Sequence, residues 1–460
     1  MKLPSILSRL GRFLSGSPAP PSVDDNLIKA HVHYSKFGRF VRILGPGVVT
    51  GAADDDPSGI ATYSQAGAGY GYGLLWLFPI MFPLLLAVQE SCSRIGAVTG
   101  RGMAAVLKQN YSKRLLYMSV FLVVVANIVN IGADLGAMAA ALGLFVDLPF
   151  TFLAVVFALL TVLMQIFVSY RRYSKILKWL AIVLFAYPVT AFLVGQPWGE
   201  VITRTFVPQV QIDATTIYII VGILGTTISP YLFFWDTSEV VEDEIAAHRA
   251  TQSGLHAPHI SKHFMKNLRI DNFIGMSLAS LTAWFIVVTC ASVLFAHGIT
   301  NISSAADAAK ALEPLVQGFP YAGLIAKVLF SVGVIGIGLL AVPVLAGSSS
   351  YAVSEALGLK EGLYRKFRRA QGFYLIIILA TLAGLGFNLL GIDPIKALLF
   401  AAVFNGVASV PLLWMIARVG SNPAIMGEYT NGRWSLIGVW TAFSLMLSAC
   451  LVLFYSLFAA

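Results

Sequence analysis

The chain has 460 residues, of which 57% are hydrophobic and only 12% are charged, and its formal net charge is +9 at pH 7. Soluble domains have about 25% charged residues, so this composition excludes a protein that folds chiefly in water. The positive charge is distributed as the membrane orientation derived below requires, so we predict no nucleic-acid partner. No partner protein is evident from the sequence. Three scattered cysteines, Cys92, Cys290 and Cys450, form no C-x-x-C pair, and we predict no disulfide scaffold.

Long apolar runs separated by charged or glycine- and proline-rich breaks predict an all-α polytopic membrane protein. A helix needs about 20 apolar residues to cross the hydrocarbon layer of a bilayer. The predicted spans, eleven in number, cover approximately residues 42–66, 73–93, 115–142, 150–169, 176–195, 214–238, 271–296, 319–350, 371–390, 395–417 and 435–458.

The basic residues predict the orientation of these spans. If the N-terminus lies inside, nearly all of the 31 lysine and arginine residues fall on inner segments. Those on the outer side are Arg204, Lys310, Lys327 and Lys396. Such a bias is the positive-inside rule. We therefore expect an integral protein of the plasma (inner) membrane, with a cytoplasmic N-terminus, an outer C-terminus and the lipid bilayer as its surroundings.

Two predicted spans are interrupted by polar residues and proline. The first reads "GAADDDPSGIAT", with three aspartates before Pro57, and the sixth reads "GILGTTISPYLFF", broken at Pro230. Proline removes a backbone donor, and freed backbone at membrane depth is tolerated only where it is buried in protein or lines a cavity. A proline kink without function is the alternative interpretation of each break.

The two breaks fall at corresponding positions of two five-helix halves. This pattern predicts an inverted-repeat transporter whose binding site lies between the breaks, near the membrane midplane. The chain then divides into a cytoplasmic segment, a first repeat, a second inverted repeat and one additional helix. These parts cover residues 1–41, 42–195, 214–417 and 435–458.

The aspartates at the first break indicate what would bind there. A carboxylate inside a membrane is costly and marks a functional site, and Asp56 lies about 21 Å of helix beyond Arg42. An anionic substrate would be bound by helix N-termini, whereas a cation is bound by carboxylates and freed carbonyl oxygens. The sequence therefore predicts a cationic substrate.

The stretch "GPGVVTGAADDDPSGIATYSQAGAGYGYGLLW", together with "GTTISP" and "GADLGAMAAALGL", resembles the natural-resistance-associated macrophage protein (Nramp) family of divalent-metal transporters. The resemblance covers about ten spans and is most specific at the first break. It implies the inverted-repeat fold named after the leucine transporter, with five plus five helices and one more. It also implies a secondary transporter that works by alternating access and is not an enzyme. The metal is then the substrate, and no cofactor is expected.

This chain departs from the family at both breaks. Family members carry Asp-Pro-Gly-Asn where this chain has "DPSG", so Asp56 keeps the metal-binding carboxylate while Gly59 replaces a ligating asparagine. At the second break, Ser229 replaces a methionine ligand, and Tyr231 replaces a histidine. We expect Asp56 to be the main ligand, assisted by Asp54 or Asp55. The predicted metal site comprises Asp56, Ser229, the Thr226 carbonyl, Gly59 and Asp55.

The resemblance also suggests residues of the ion pathway. A second family histidine falls at Asp236, and an aspartate of the third span matches Asp134, whereas a nearby family glutamate matches Ala137. Asn405 is a polar residue within the tenth span, where helix–helix hydrogen bonding is the alternative role. A solvated helix end is the alternative for Asp236. The predicted gating or pathway residues are Asp134, Asp236, Tyr231 and Asn405.

These departures favour a hard, hydrated ion. Thioether ligands select soft metals, whereas carboxylate, carbonyl, hydroxyl and water ligands suit Mg²⁺, Ca²⁺ and Mn²⁺. The pattern is similar to the Nramp-related magnesium transporter branch, so we expect Mg²⁺ and Mn²⁺ as substrates. Histidine titrates near neutral pH, and no predicted span contains one well inside it. We therefore predict transport without strict proton coupling, although Asp134 keeps a proton relay open.

Two other functions are compatible with the sequence. The first is a Na⁺-coupled carrier of a small organic solute, in which the aspartates bind Na⁺. The second is a metal sensor that does not transport. Asp56, with no basic residue close to it in the sequence, suits a lone cation and so favours a cation carrier over the solute carrier. We predict no soluble signalling domain, which argues against the sensor.

Overall fold

The structure, a computed structural model, describes residues 51, 53–168, 182–209, 213–246 and 262–459. The predicted cytoplasmic segment 1–41, the start of the first predicted span and the start of the fifth lie outside the described residues. Within the described residues, every regular element is an α-helix or a short 3-10 helix.

The fold consists of long helices joined by short connections. The α-helices are α1 (Pro57–Tyr70), α2 (Leu77–Thr99), α3 (Met103–Asn110), α4 (Lys113–Leu142), α5 (Phe150–Phe167), α6 (Ala186–Leu193), α7 (Trp198–Phe206), α8 (Ala214–Thr227), α9 (Pro230–Ala246), α10 (Lys262–Val293), α11 (Ala305–Lys310), α12 (Ala322–Leu357), α13 (Gln371–Phe387), α14 (Pro394–Gly420), α15 (Pro423–Met426) and α16 (Arg433–Ala459). Eight helical segments among the described residues are long and apolar enough to cross a membrane, and α8 and α9 together form one of them. The number of eleven spans stays a prediction.

Several predicted boundaries were wrong at the polar ends of helices. Helix α10 begins at Lys262 and not at residue 271, α2 continues to Thr99 beyond residue 93, and α12 continues to Leu357 beyond residue 350. These added turns contain charged and small residues. Hydropathy marks the part of a helix that crosses the hydrocarbon layer, whereas the helix itself continues into the polar interface.

Both predicted breaks are present. Residues 51, 53 and 54 are helical, Asp55 and Asp56 are not, and α1 begins at Pro57. Proline is favourable at this first helical position, because its missing N–H has no intrahelical acceptor there. In the second break, Ile228 and Ser229 separate α8 from α9, which begins at Pro230.

Close helix packing holds the ends of both broken helices in place. A Cβ atom added to Gly225 would lie only 2.7 Å from the Gly406 Cα of α14, and one on Gly67 would lie 2.8 Å from the Cys290 Cβ of α10. Small residues allow membrane helices to approach until their backbones touch. Helix α8 is therefore fixed against α14 where it ends, and α1 is fixed against α10.

Candidate functional site

The candidate site lies where α1 begins and α8 ends, and Asp56 is at its centre. Asp56 is only 1% exposed and caps the N-terminus of α1. Its Oδ1 accepts hydrogen bonds from the Gly59 backbone N–H (2.8 Å) and from the Ser58 hydroxyl (2.6 Å). Its Oδ2 is buried and has no hydrogen-bond partner among the described residues. One carboxylate oxygen thus fixes the helix end, and the other is left for a ligand.

The first break contacts the second through small polar side chains. The Ser58 Oγ lies 3.4 Å from the Thr226 Oγ1, and the Tyr63 hydroxyl lies 2.9 Å from the Thr227 Oγ1. A Cβ atom on Gly59 would lie 3.1 Å from the Thr226 Oγ1. Glycine at this position therefore lets the two breaks approach closely, and it supplies no side-chain ligand.

The hydroxyl of Ser229 lies against the carbonyl oxygens at the end of α8. It donates to the Gly225 carbonyl (3.0 Å) and to the Thr226 carbonyl (2.5 Å). A carbonyl oxygen has two lone pairs, so the Thr226 carbonyl keeps capacity for a second interaction. Ser229 and Thr226 thus form one unit of oxygen atoms, as expected if both serve the same ion.

The electrostatics of this region favours a cation. The C-terminal end of a helix carries a partial negative charge, and α8 ends at Thr227. Asp54 and Asp55, which precede Asp56 directly, are also buried. Burying like charges is costly unless an opposite charge compensates them, so the site is suited to a positively charged ligand.

Two predicted pathway residues lie close to this site. The Tyr231 hydroxyl donates to the Ala53 carbonyl at 2.8 Å, which joins the second break to the chain just before the first. Asp134 of α4 is fully buried, and neither of its oxygens has a hydrogen-bond partner among the described residues. Helix α4, which carries Asp134, packs against α1.

The other two predicted pathway residues are bonded to different elements. Asn405 of α14 exchanges hydrogen bonds with Asn130 of α4, at 2.7 Å and 3.2 Å. Asp236 is fully buried and accepts a hydrogen bond from Ser93, whose hydroxyl accepts one from Asn272 at 2.8 Å. Asn405 therefore makes a helix–helix contact, and Asp236 is buried and is not at a solvated helix end.

A cavity of about 190 Å³ extends from Pro57 toward the predicted outer side. Its walls include Ala137 of α4 and Asp393 at the start of α14. Near its rim, the Gln65 side chain of α1 donates to the Thr300 carbonyl (3.0 Å) and accepts from the Ile302 N–H (2.9 Å). The cavity thus lies beside the first break, and Ala137 in its wall is the position where the resemblance places a glutamate.

Two glutamates join helices on the predicted inner side; sequence reasoning missed Glu355 and placed Glu242 beside an acidic stripe at the inner mouth without assigning it a contact. Glu355 of α12 accepts hydrogen bonds from the Ala105 N–H at the start of α3 (2.9 Å) and from Ser238 of α9 (3.1 Å). Glu242 of α9 accepts hydrogen bonds from the Tyr351 hydroxyl and from two backbone N–H groups after α12. In the sequence, the signal for these contacts was the presence of acidic residues near the inner ends of two predicted spans.

The described residues contain no group of three or more histidine, cysteine, aspartate or glutamate side chains arranged to hold a metal ion. The candidate site instead combines Asp56 with hydroxyl and carbonyl oxygens. Such a donor set leaves coordination positions for water, as a hard and strongly hydrated cation requires.

Comparison with known proteins identifies the family of this chain. The sequence model of the Nramp family, described as natural resistance-associated macrophage protein-like, matches residues 47–456. The divalent metal cation transporter MntH 1 of Pseudomonas aeruginosa is 27% identical over 454 residues, which cover 95% of this chain and 97% of that protein. These matches span nearly the whole described helical region.

Solved structures of low sequence identity have the same fold. The Eremococcus coleocola manganese transporter, in complex with an aromatic bis-isothiourea substituted compound, superposes with a TM-score of 0.69 at 18% identity, covering 91% of this chain and 87% of that one. MhsT in complex with L-phenylalanine gives a TM-score of 0.61 at 14% identity, covering 90% and 98%. The predicted all-α inverted-repeat fold of the leucine-transporter type, with two broken helices, is confirmed.

Proposed function

This chain belongs to the Nramp family, whose members are transporters and not enzymes, and on that basis we propose that it carries divalent metal cations across a membrane by alternating access. One observation carries the proposal: the Asp56 Oδ2 is buried and unpartnered beside the end of α8. The names of the relatives, a divalent metal cation transporter and a manganese transporter, support the same substrate class.

The donor atoms support Mg²⁺ and Mn²⁺ as the substrates. Ser229 and Gly59 stand where the resemblance places a methionine and an asparagine, so neither a thioether nor an amide faces the ion from these positions. Oxygen donors and water suit hard cations, and Mg²⁺ keeps several of its waters when bound. We assign Asp56 as the main ligand, with the Ser229 hydroxyl, the Thr226 carbonyl and water completing the shell, and Asp55 assisting.

The path of the ion follows from the cavity and the inner glutamates. The 190 Å³ cavity reaches Pro57 from the predicted outer side, whereas hydrogen bonds of Glu355 and Glu242 join α3, α9 and α12 on the predicted inner side. Release inward requires these hydrogen bonds to break. Alternating access is then a movement between the two halves, residues 42–195 and 214–417, around the fixed site.

Transport is not strictly coupled to protons in this proposal. The two histidines that the structure describes are His263, at the start of α10, and His297, after its end. Tyr231 and Asp236 stand where the resemblance places the two family histidines. The membrane potential then drives entry, with about 2.3 kcal/mol for each charge per 100 mV.

The orientation is part of the same proposal. The distribution of lysine and arginine supports a cytoplasmic N-terminus and an outer C-terminus in the plasma (inner) membrane. The Na⁺-coupled solute carrier is less well supported. The groups that contact Asp56 are hydroxyls and a backbone amide, and no charged solute anchor is among them.

Uptake by purified protein in liposomes tests the proposal. The variant Asp56→Asn removes the charge while its amide oxygen can still accept the hydrogen bonds that cap α1, so the helix end is retained. We expect Mg²⁺ and Mn²⁺ uptake to fall by about 100-fold, because a charge-assisted ligand is lost. The exposed Asp147→Asn serves as the matched control. Normal uptake by Asp56→Asn would refute the site, and uptake of an organic solute without divalent ions would refute the substrate class.

A further inference from the structure

A second cavity, of about 360 Å³, lies well away from the ion site. It is lined by Arg94 near the end of α2, by Lys266 and Arg269 in the first turns of α10, and by residues 428–430 before α16. These elements form the end of the molecule that carries most of the basic residues, which the positive-inside rule places on the cytoplasmic leaflet.

The side chains around this cavity carry an excess of positive charge. Arg94 and Arg269 share a single carboxylate, that of Glu90, with the Arg269 Nε 2.7 Å from the Glu90 Oε1. One carboxylate cannot neutralise two guanidinium groups. Lys266 is exposed and adds a charge, while Glu428 on the rim subtracts one. The lining side chains and Glu90 together keep a positive excess, which suits an anionic ligand.

Arg94 gives an independent indication of a ligand. Its side chain is only 4% exposed, and one terminal nitrogen donates to the Thr430 carbonyl at 3.0 Å. Its Nε is buried and has no acceptor among the described residues. Leaving a buried charged donor without an acceptor is unfavourable. Arg94 also lines the cavity, and a phosphate oxygen there would accept a charge-assisted hydrogen bond from its guanidinium group.

The neighbouring surface is suited to acyl chains. Helix α16 begins at Arg433, directly after the segment that lines the cavity, and Trp434 is 82% exposed. Tryptophan is enriched at the level of lipid headgroups. Ile437, one turn later, is exposed as well. A headgroup in the cavity could therefore continue into chains that lie along α16.

We infer that this cavity binds the phosphodiester headgroup of an anionic phospholipid, with its acyl chains against α16. Basic pockets between membrane helices on the cytoplasmic side are suited to anionic headgroups. The bound lipid would bridge α2, α10 and the segment before α16. That segment is already attached to α2, because the Asn431 side chain donates to the Ser91 hydroxyl at 2.9 Å.

Lipid retention by the full-length protein tests this inference without measuring transport. The wild type and the double variant Lys266→Gln/Arg269→Gln are purified in mild detergent, supplied with phosphatidylglycerol or phosphatidylethanolamine, and analysed by native mass spectrometry. We expect the double variant to retain about tenfold less phosphatidylglycerol, because two charge-assisted contacts are lost. The variant Lys366→Gln/Arg368→Gln removes the same charge from exposed positions after α12 and should retain the lipid like the wild type.

Several results would overturn the assignment. One is equal phosphatidylglycerol retention by all variants, and another is that the wild type retains phosphatidylethanolamine as well as phosphatidylglycerol. A third is displacement of the lipid by millimolar inorganic phosphate, which would indicate a small-anion site. The single variant Lys266→Gln provides the same comparison if the double variant does not fold. Because no residue of the Asp56 site is changed, failure here leaves the proposed transport function intact.

Discussion

The Tyr231 hydroxyl donates a hydrogen bond to the Ala53 carbonyl, at 2.8 Å, and so joins the two helix breaks directly. The Tyr231 carbonyl in turn accepts a hydrogen bond from Ser348 of α12 at 2.8 Å. Tyrosine stands here where the Nramp resemblance places a histidine. Its phenol donates to a backbone carbonyl, and a phenol, unlike an imidazole, does not ordinarily titrate near neutral pH.

Replacing Tyr231 by phenylalanine tests this connection. The Ala53 carbonyl would be left buried without its donor, which costs about 1–3 kcal/mol, and the two breaks would lose their shortest link. We expect metal uptake in liposomes to fall severalfold and the melting temperature to fall by a few degrees. The matched control is Tyr374→Phe, which removes a 2.9 Å hydrogen bond to the Arg365 carbonyl away from the site. If both variants transport equally, Tyr231 has only a structural role.

Introducing methionine at Ser229 tests the origin of metal preference. The Ser229 hydroxyl is hydrogen-bonded to the Gly225 and Thr226 carbonyls, so Ser229→Met both frees these oxygens and adds a thioether. We expect the ratio of Cd²⁺ to Mg²⁺ uptake to rise about tenfold, because soft ligands favour soft metals.

Ser229→Ala separates the two effects of that substitution. It frees the same carbonyl oxygens and adds no sulfur, so its Cd²⁺ to Mg²⁺ ratio should remain near that of the wild type. A ratio that rises equally in both variants would show that the thioether is not the cause.

The paired asparagines of α4 and α14 allow a prediction about stability. Asn130 and Asn405 exchange two hydrogen bonds within the buried interior, and such membrane hydrogen bonds contribute about 0.6 kcal/mol on average and up to about 1.7. We expect Asn130→Ala and Asn405→Ala to destabilise the protein individually and the double variant to cost less than their sum. Thermal unfolding in detergent measures the cycle, and additive effects would contradict the coupling.

The helices and their breaks were predictable from the sequence for a simple physical reason. Apolar runs report burial in lipid, and Pro57 and Pro230 with their polar neighbours report where backbone hydrogen bonding stops. The ends of α2 and α10 were not predictable from hydropathy, because polar turns continue a helix outside the hydrocarbon layer. Hydropathy and the positions of proline are local properties of the chain. They predict a structural feature only when that feature depends on the surroundings of the same residues.

The partners of buried polar residues were beyond sequence reasoning. Asn405 meets Asn130 from a distant part of the chain, and Glu355 caps the start of α3 through the Ala105 N–H. Such pairs depend on how each helix is rotated against its neighbour, which its own periodicity does not fix. That Asp56 acts as a ligand stays a prediction, and its division into one capping oxygen and one unpartnered oxygen required the structure.

Removing Glu242 should loosen the predicted inner side. Glu242 accepts hydrogen bonds from the backbone N–H groups of Leu363 (2.6 Å) and Tyr364 (3.1 Å). In Glu242→Ala the Tyr364 amide loses its acceptor and the Leu363 amide keeps only a 3.2 Å hydrogen bond to the Tyr351 hydroxyl. We therefore expect hydrogen–deuterium exchange of the peptide around residue 363 to become about tenfold faster. Glu428→Gln changes a charge elsewhere at the same end and should leave this exchange unchanged. If exchange is unchanged in Glu242→Ala, then Glu242 does not hold the segment around residue 363 against α9.

Uptake without strict proton coupling can be tested through Asp134, a buried carboxyl with no hydrogen-bond partner among the described residues. In liposomes with an imposed potential, an uncoupled divalent cation gains about 4.6 kcal/mol for each 100 mV. Mn²⁺ uptake should therefore rise with potential while the lumenal pH stays constant. Asp134→Asn removes the α4 carboxyl that could relay protons, so it should change the uptake rate while the lumenal pH still stays constant. A fixed proton-to-metal ratio in the wild type, lost in Asp134→Asn, would establish coupling and identify Asp134 as the relay.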